Sequence, residues 1–297
     1  MAFREADIPD QSGRTVVVTG ANSGIGWETA RALATKGARV IVACRSEAKG
    51  RDAESRIRAS APAADVRAEK LDLGSLASVR SFAEKFNAAE SRLDLLVNNA
   101  GVMMTPRGKT DDGFETQFGT NHLGHFALSG LLLPRIKTTP KARVINLSSA
   151  VHFVGRIDFD DLQAERSYDP TRAYGQSKLA NLLFTRELQR RFESAHIDAL
   201  SAAAHPGSTQ TGLQQHSRLM AAAVAVFSQL PPDGALPTLY AATATDVRGG
   251  EYFGPSRWFG MVGPPERARS SPRSKDAAAA ARLWEVSERL TGVRFAI

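Results

Sequence analysis

The run Thr15-Val16-Val17-Val18-Thr19, joined directly to Gly20-Ala21-Asn22-Ser23-Gly24-Ile25-Gly26, constrains this chain more than any other stretch. A short β-branched run reads as a buried strand. The glycines allow a sharp turn, and a helix-compatible segment follows to about Lys36, where Gly37 stops it. The same grammar repeats along the chain. Strands are expected at Ala38–Cys44, Val66–Leu71, Leu93–Val97, Ala142–Leu147 and Ile197–Ala204. Helices are expected at Ser46–Ser60, Leu76–Phe86, Asp111–Leu133 (ending before Pro134), Tyr174–Phe192 and Ala277–Leu290. The strands are continuous apolar runs without alternation, which calls for a parallel sheet covered on both faces. The expected architecture is a single-domain, Rossmann-like α/β fold over residues 1–297. It is a doubly wound parallel sheet of about seven strands. Residues 262–275, rich in Pro, Arg and Ser, read as a mobile loop.

A chain of 297 residues, 42% of them hydrophobic, is long enough for one large core. The formal charge of +7 raises the question of nucleic acid. The basic residues are scattered, however, apart from a local excess at Arg267, Arg269, Arg273 and Lys275, and no nucleic-acid motif accompanies them. A solvated face and a site for an anionic cofactor account for the charge. One cysteine, Cys44, allows no internal disulfide and fits a reducing compartment. No signal-peptide pattern and no run near the ~18 apolar residues of a membrane span is present. The expectation is therefore a cytoplasmic protein.

The glycine turn sits where a dinucleotide's pyrophosphate would bind. Glycines admit close backbone approach, and a helix N-terminus offers free N–H groups and a positive dipole end. The spacing Gly20-x-x-x-Gly24-x-Gly26 differs from the common G-x-G-x-x-G, but its place between strand and helix supplies the context. Farther on, Tyr174 and Lys178 stand four apart on an expected helix, hence on one face. An ammonium one turn away favours the phenolate and is expected to lower the tyrosine's pKa from about 10 toward the working pH. Alone, such a pair reads as a solvated Tyr–Lys pair on a surface helix, and only the rest of the chain overturns that.

Taken together, Thr19-Gly20-x-x-x-Gly24-Ile25-Gly26, Asn98-Asn99-Ala100-Gly101, Asn121, Ser148-Ser149, Tyr174-x-x-x-Lys178 and Pro206-Gly207 with Thr211 resemble the short-chain dehydrogenase/reductase family from about Arg14 to Leu290. Cys44-Arg45, Asn121 to Phe126, Ser177 to Asn181 and Leu283-Trp284-Glu285 are similar to its retinol dehydrogenase-like and protochlorophyllide reductase-like branch. The resemblance implies reversible hydride transfer between a nicotinamide cofactor and an alcohol or carbonyl. It assigns proton transfer to Tyr174, and pKa lowering and ribose binding to Lys178. Ser149 is implied to bind the substrate oxygen, and Asn121 to hold a water that links Lys178 to solvent. Ser148 and Ser149 end a strand and face opposite ways, so only one meets substrate; the family favours Ser149. The long interval from Ser149 to Tyr174 carries the insert Gly155–Arg172, as in the retinol dehydrogenase-like branch.

Cofactor contacts are implied at Gly20, Asn22, Ser23, Gly24, Ile25 and Gly26 of the turn. Others are implied at Arg45, Asp72, Leu73, Asn98, Ala100 and Gly101, at Tyr174 and Lys178, and at Pro206, Gly207 and Thr211. Asp72 is alternatively a helix cap, and Asn98 a brace of the sheet. NADP(H) is expected over NAD(H). The end of the second strand carries Cys44 where a carboxylate would bind a ribose 2′-hydroxyl, and Arg45 follows, well shaped for a phosphate. His122 and His125 lack a third ligand, so no metal is expected. Residues 208–232 are expected to form a substrate lid. Its apolar part, 219–230, suits a greasy alcohol or carbonyl substrate or, equally, a neighbouring subunit of a homo-oligomer. Rival readings are a reductase of a C=C bond on the same fold and a cofactor-binding protein without turnover.

Overall fold

The β-branched run is strand β1 (Thr15–Thr19), and all five of its residues are buried. The computed structural model describes residues 2–209 and 228–297. β1 shows why the strands lack alternation. Val16 and Val18 pack into the hydrophobic cluster on one face of the sheet and Val17 into the cluster on the other. Both faces are covered, so both need apolar side chains.

The other strands are β2 (Arg39–Cys44), β3 (Val66–Lys70), β4 (Leu95–Asn98), β5 (Ala142–Leu147), β6 (Ala199–Ala204), β7 (Tyr252–Arg257) and β8 (Val262–Arg267). Among the described residues they form one sheet in the order β3-β2-β1-β4-β5-β6-β7-β8. Every pairing is parallel except β7 with β8. The order turns back between β1 and β4. In an open sheet of this kind the crevice beyond the strand ends at that switch point is the binding place.

The helices are α1 (Gly24–Thr35), α2 (Glu47–Ser60), α3 (Leu76–Ala89), the single turn α4 (Thr116–Phe118), α5 (Gly124–Thr138), α6 (Pro170–Ser194), α7 (Pro231–Thr243) and α8 (Ala277–Thr291). α1, α2 and α7 contribute Leu33, Ile57 and Leu239 to one cluster. α3, α5, α6 and α8 contribute Phe82, Phe126, Phe184 and Trp284 to the other. Among the described residues no helix is long and apolar enough to cross a membrane.

Three expectations are corrected. The sheet has an eighth strand, β8, and it lies in residues 262–275, read above as a mobile loop. β8 pairs with β7 through Phe253↔Arg267 and Gly254↔Glu266, and a 3-10 turn at Pro272–Lys275 follows. Pro264 and Pro265 disguised it, yet an edge strand tolerates proline because one side of it donates to no neighbour. The helix expected over Asp111–Leu133 begins only at Thr116. Glu115 fixes that start by accepting hydrogen bonds from the backbone of Gln117 (2.8 Å) and Phe118 (2.7 Å). It passes through a turn of π-helix at Gly119–Leu123, and α5 then continues past Pro134 to Thr138. Burial of Leu132, Leu133 and Ile136 around the proline overrides the lost rung.

α6 carries Tyr174 and Lys178, and it starts four residues before the expected Tyr174, at Pro170 behind the cap Asp169. The Asp169 carboxylate accepts from the Arg172 N–H at 2.7 Å, and proline occupies the first helical position. Asp169→Ala should cost about 1 kcal/mol of stability, read as an earlier urea midpoint with the slope unchanged. An unshifted midpoint would show that α6 is held by packing alone.

Candidate active site

One cleft of about 460 Å³ opens at the switch point. Its floor is the glycine turn. Gly20 and Gly24 take φ of +65° and +55°, a backbone region that disfavours side chains. A Cβ on Gly26 would stand 2.6 Å from the Gly20 carbonyl oxygen, so α1 can start there only with glycine. The loop after β4 is locked to this turn. The Thr19 hydroxyl accepts from the backbone of Asn99 and Ala100 at 2.9 Å each, and the Asn99 side chain donates to the Thr19 carbonyl at 2.7 Å.

At the far end of the cleft lie Tyr174 and Lys178, both buried on α6. The Lys178 ammonium donates to the Leu147 carbonyl at 3.2 Å and stands 5.6 Å from the centre of the Tyr174 ring. Burial pushes the Tyr174 phenol up to about 12, against a hydrogen bond with the Ser149 hydroxyl that pulls it down. Burial likewise pushes Lys178 down to about 8. The lowering of Tyr174 expected from Lys178 is therefore corrected: desolvation disfavours both ions, and the pull the other way on the phenol comes from Ser149. A neutral, buried phenol is arranged to donate a proton to a developing alkoxide, and to accept one in reverse.

Asn121 sits in the π-helical turn. Its side-chain oxygen accepts from Val102 N at 2.8 Å, and its amide donates to the Val102 carbonyl and to Ser177 Oγ, each at 2.9 Å. Its own carbonyl oxygen lies 3.0 Å from His125 Nδ1. A Cβ on Gly101 would come within 3.0 Å of Asn121 Oδ1 and 3.5 Å of Lys178 Nζ, so that stretch of backbone is kept bare.

Of the residues singled out from sequence, Gly20, Asn22, Ser23, Gly24, Ile25, Gly26, Arg45, Asp72, Leu73, Ala100, Gly101, Tyr174, Lys178 and Pro206 line this one cleft. Ser149 and Asn121 stand just behind it, in contact with Tyr174 and beside Gly101. Gly207 lies under the β7–β8 hairpin, where a Cβ would press on the Met261 backbone. Asn98 does not reach the cleft. Its amide donates to Asn146 (2.8 Å) and Ser129 (3.0 Å) inside the core, tying β4 to β5 and α5. Asp72 combines two placements, lining the cleft while its carboxylate accepts from Gly74 N at 2.9 Å. Ser148, set aside from sequence, also lines the cleft, and its hydroxyl donates to the Lys178 carbonyl at 2.8 Å. Thr211 and most of residues 208–232 and 219–230 lie outside the described residues.

Sequence reasoning missed Lys49, Asn99 and Thr120 in the lining. Lys49 was findable, since it stands one turn past Arg45 at the start of α2. His122 and His125 bond separate hydroxyls, Ser287 and Thr19, at 2.9 Å each. Burial holds them down to about 3 and about 4 respectively. Among the described residues no cluster of three metal-ligating side chains occurs. The cleft's bare glycines, helix N-terminus and flanking cations fit a pyrophosphate-bearing dinucleotide.

Comparison with known proteins gives a consistent picture. The short chain dehydrogenase family matches residues 14–222. Retinol dehydrogenase 12 of Mus musculus is 46% identical over 288 residues, covering 95% of this chain and 88% of its own. A crystal structure of an uncharacterized Mycobacterium paratuberculosis protein is 45% identical, with a TM-score of 0.84 and full coverage of both chains. The Pseudomonas aeruginosa RhlG/NADP active-site complex is 26% identical, with a TM-score of 0.65 over 81% of this chain and 94% of that one.

Proposed function

This chain belongs to the short chain dehydrogenase family, on its retinol dehydrogenase-like branch, and from that premise we propose an NADP(H)-dependent enzyme that interconverts an apolar alcohol and its carbonyl compound. Nicotinamide-dependent oxidoreduction of alcohols and carbonyls is the family's chemistry; the cofactor, the residue roles and the substrate class are our reading. The observation that carries it is the buried Tyr174–Lys178 pair at one end of a cleft whose other end is a glycine turn flanked by Arg45.

The nicotinamide, when bound, supplies or receives the hydride. Tyr174 donates the proton to the substrate oxygen in reduction and withdraws it in oxidation. Ser149, beside the phenol, holds that oxygen by a second hydrogen bond. Lys178 presents positive charge below pH of about 8, which favours charge building on the phenol oxygen. Asn121 fixes the Val102 backbone opposite Lys178 and so shapes the nicotinamide end of the cleft. An apolar substrate is supported by the name of the 46%-identical retinol dehydrogenase. A panel of aliphatic aldehydes, ketones and enones with both reduced cofactors is the test. Turnover confined to enones would replace carbonyl reduction by C=C reduction. No turnover with any of them would leave cofactor binding only.

The cofactor preference has its own test. Cys44 closes β2 and Arg45 follows it, no carboxylate stands there, and Arg45 is exposed at the cleft, whose lining also includes Lys49. Asn22 and Ser23 add hydrogen-bonding groups from the turn. A charge-assisted contact to a 2′-phosphate is worth roughly 1.5–3 kcal/mol, or about one to two decades of affinity. Cys44→Asp combined with Arg45→Ala should therefore weaken NADPH by that factor and improve NADH, read from Kd by fluorescence titration. A wild type that prefers NADH, or a double variant that still prefers NADPH, would take Arg45 out of the site.

A further inference from the structure

Ser149 is tied to a part of the chain that no cofactor or substrate reading uses. Behind it lies His152, which is fully buried. One ring nitrogen, Nδ1, sits 2.6 Å from the Ser149 carbonyl oxygen. The other, Nε2, sits 3.1 Å from the backbone nitrogen of Ser271. An amide N–H can only donate, so Nε2 accepts and the ring proton must be on Nδ1, donated to Ser149. Both nitrogens are thus committed, and the tautomer is set by the protein.

The same contacts run on to the helix that carries the tyrosine. Ser271 belongs to residues 270–275, where Ser274 Oγ donates to the Ser271 carbonyl at 2.7 Å. Arg186 of α6 grips this segment through the Ser274 carbonyl, Ser274 Oγ (2.8 Å) and Ser270 Oγ (3.0 Å). Tyr174 lies twelve residues earlier on α6, about 18 Å along its axis. Ser149 closes the circuit through its hydrogen bond to the Tyr174 phenol. The turn Ala150–Phe153 is also packed on α6 directly: a Cβ on Gly175, next to Tyr174, would lie 3.2 Å from the Val151 carbonyl oxygen.

We propose that His152 is a positioning residue, clamping the Ser149 backbone to residues 270–275, which Arg186 fastens to the helix bearing Tyr174 and Lys178. The stretch after β8 thereby sets the distance between the hydroxyl and the phenol. Reaction geometry is sensitive at this level, since displacements near 1 Å can cost up to about 10²-fold in rate. The proposal rests on the reading of Ser149 as the hydroxyl that holds the substrate oxygen.

The test measures kcat and KM with decanal and NADPH, and NADPH Kd separately. His152→Phe keeps the ring and removes both hydrogen bonds; kcat should fall about tenfold or more with NADPH Kd unchanged. His152→Asn keeps a donor in the Nδ1 position and should recover part of the loss. In a Ser149→Ala background, His152→Phe should lower kcat little further, because the group it positions is already gone. If His152→Phe does not fold, Ser271→Pro replaces it. That change deletes the N–H that His152 accepts at a residue whose φ of −62° suits proline. Its kcat should stand about tenfold below that of Ser271→Ala, which keeps the N–H. Additive losses in the double variant, equal losses in His152→Phe and His152→Asn, or equal kcat in the two Ser271 variants would overturn the clamp. If Ser149→Ala leaves kcat unchanged, the role of Ser149 falls and takes the clamp with it. If Ser149→Ala lowers kcat while His152→Phe and Ser271→Pro do not, the clamp alone falls.

Discussion

Tyr174→Phe should lower kcat by at least ~10²-fold while NADPH Kd stays within about twofold of wild type. The ring itself is buried against Lys178 and the cleft wall, and phenylalanine keeps that packing. What disappears is one hydroxyl, the group that the proposed reading makes the proton donor to the substrate oxygen. Ser149 cannot replace it, because a serine hydroxyl is a far weaker acid than a phenol. The phenol's upward shift to about 12 adds a directional consequence. Carbonyl reduction needs the protonated phenol, which is present throughout the neutral range. Alcohol oxidation needs the phenolate, so its rate should rise with pH well past neutrality. Steady-state rates in both directions between about pH 6 and 10 check this. Near-normal turnover in Tyr174→Phe, or an oxidation rate flat in pH, would remove Tyr174 from proton transfer.

How much of this was legible depended on whether the information was local. β1 and the glycine turn were readable because a β-branched run and glycines that need positive φ are properties of consecutive residues. β8 was not, because two prolines argue against a strand unless one knows that it lies at an edge, which is a fact about neighbours. The run of α5 through Pro134 was hidden for the same reason, since burial on the sheet decided it. In the site, the cleft-lining positions could be named from the sequence, but the electrostatics could not. The spacing of Tyr174 and Lys178 suggested a lowered tyrosine; their shared burial, visible only in three dimensions, reverses the sign. Asn98 illustrates the converse, a polar residue at a strand end that looks available to a ligand and is spent on Asn146 and Ser129. His152 carried no sequence signal at all, because its partner Ser271 is 119 positions away.

Lys178→Met should separate activity from stability more sharply than any other change. Methionine nearly matches the lysine stem, so no large cavity opens, and the Leu147 carbonyl keeps its bond from Asn181 at 2.9 Å. Activity should fall by ~10²-fold or more in kcat/KM, with NADPH Kd also weakened, because in the proposed reading the same ammonium serves both the phenol and the cofactor. Stability should move the other way. Lys178 is held down from 10.5 to about 8 by burial alone. Between those values the unfolded chain binds the proton that the folded one has lost, so stability rises with pH across that window. Below pH of about 8 both states carry the proton, and the folded protein bears the full cost of a buried cation, roughly 3 kcal/mol on this shift. Lys178→Met removes that cost. The variant should therefore be more stable than wild type at pH 7, with an advantage that shrinks as pH climbs from about 8 toward 10.5. For wild type, binding an anionic dinucleotide above pH 8 should take up a proton, since it favours the ammonium. Urea unfolding of both proteins across that range, and calorimetric titration of NADPH in two buffers of different ionisation enthalpy, measure the two effects. A variant less stable than wild type at pH 7, or binding with no proton uptake at pH 9, would mean that Lys178 is neither a buried cost nor the charge that meets the cofactor.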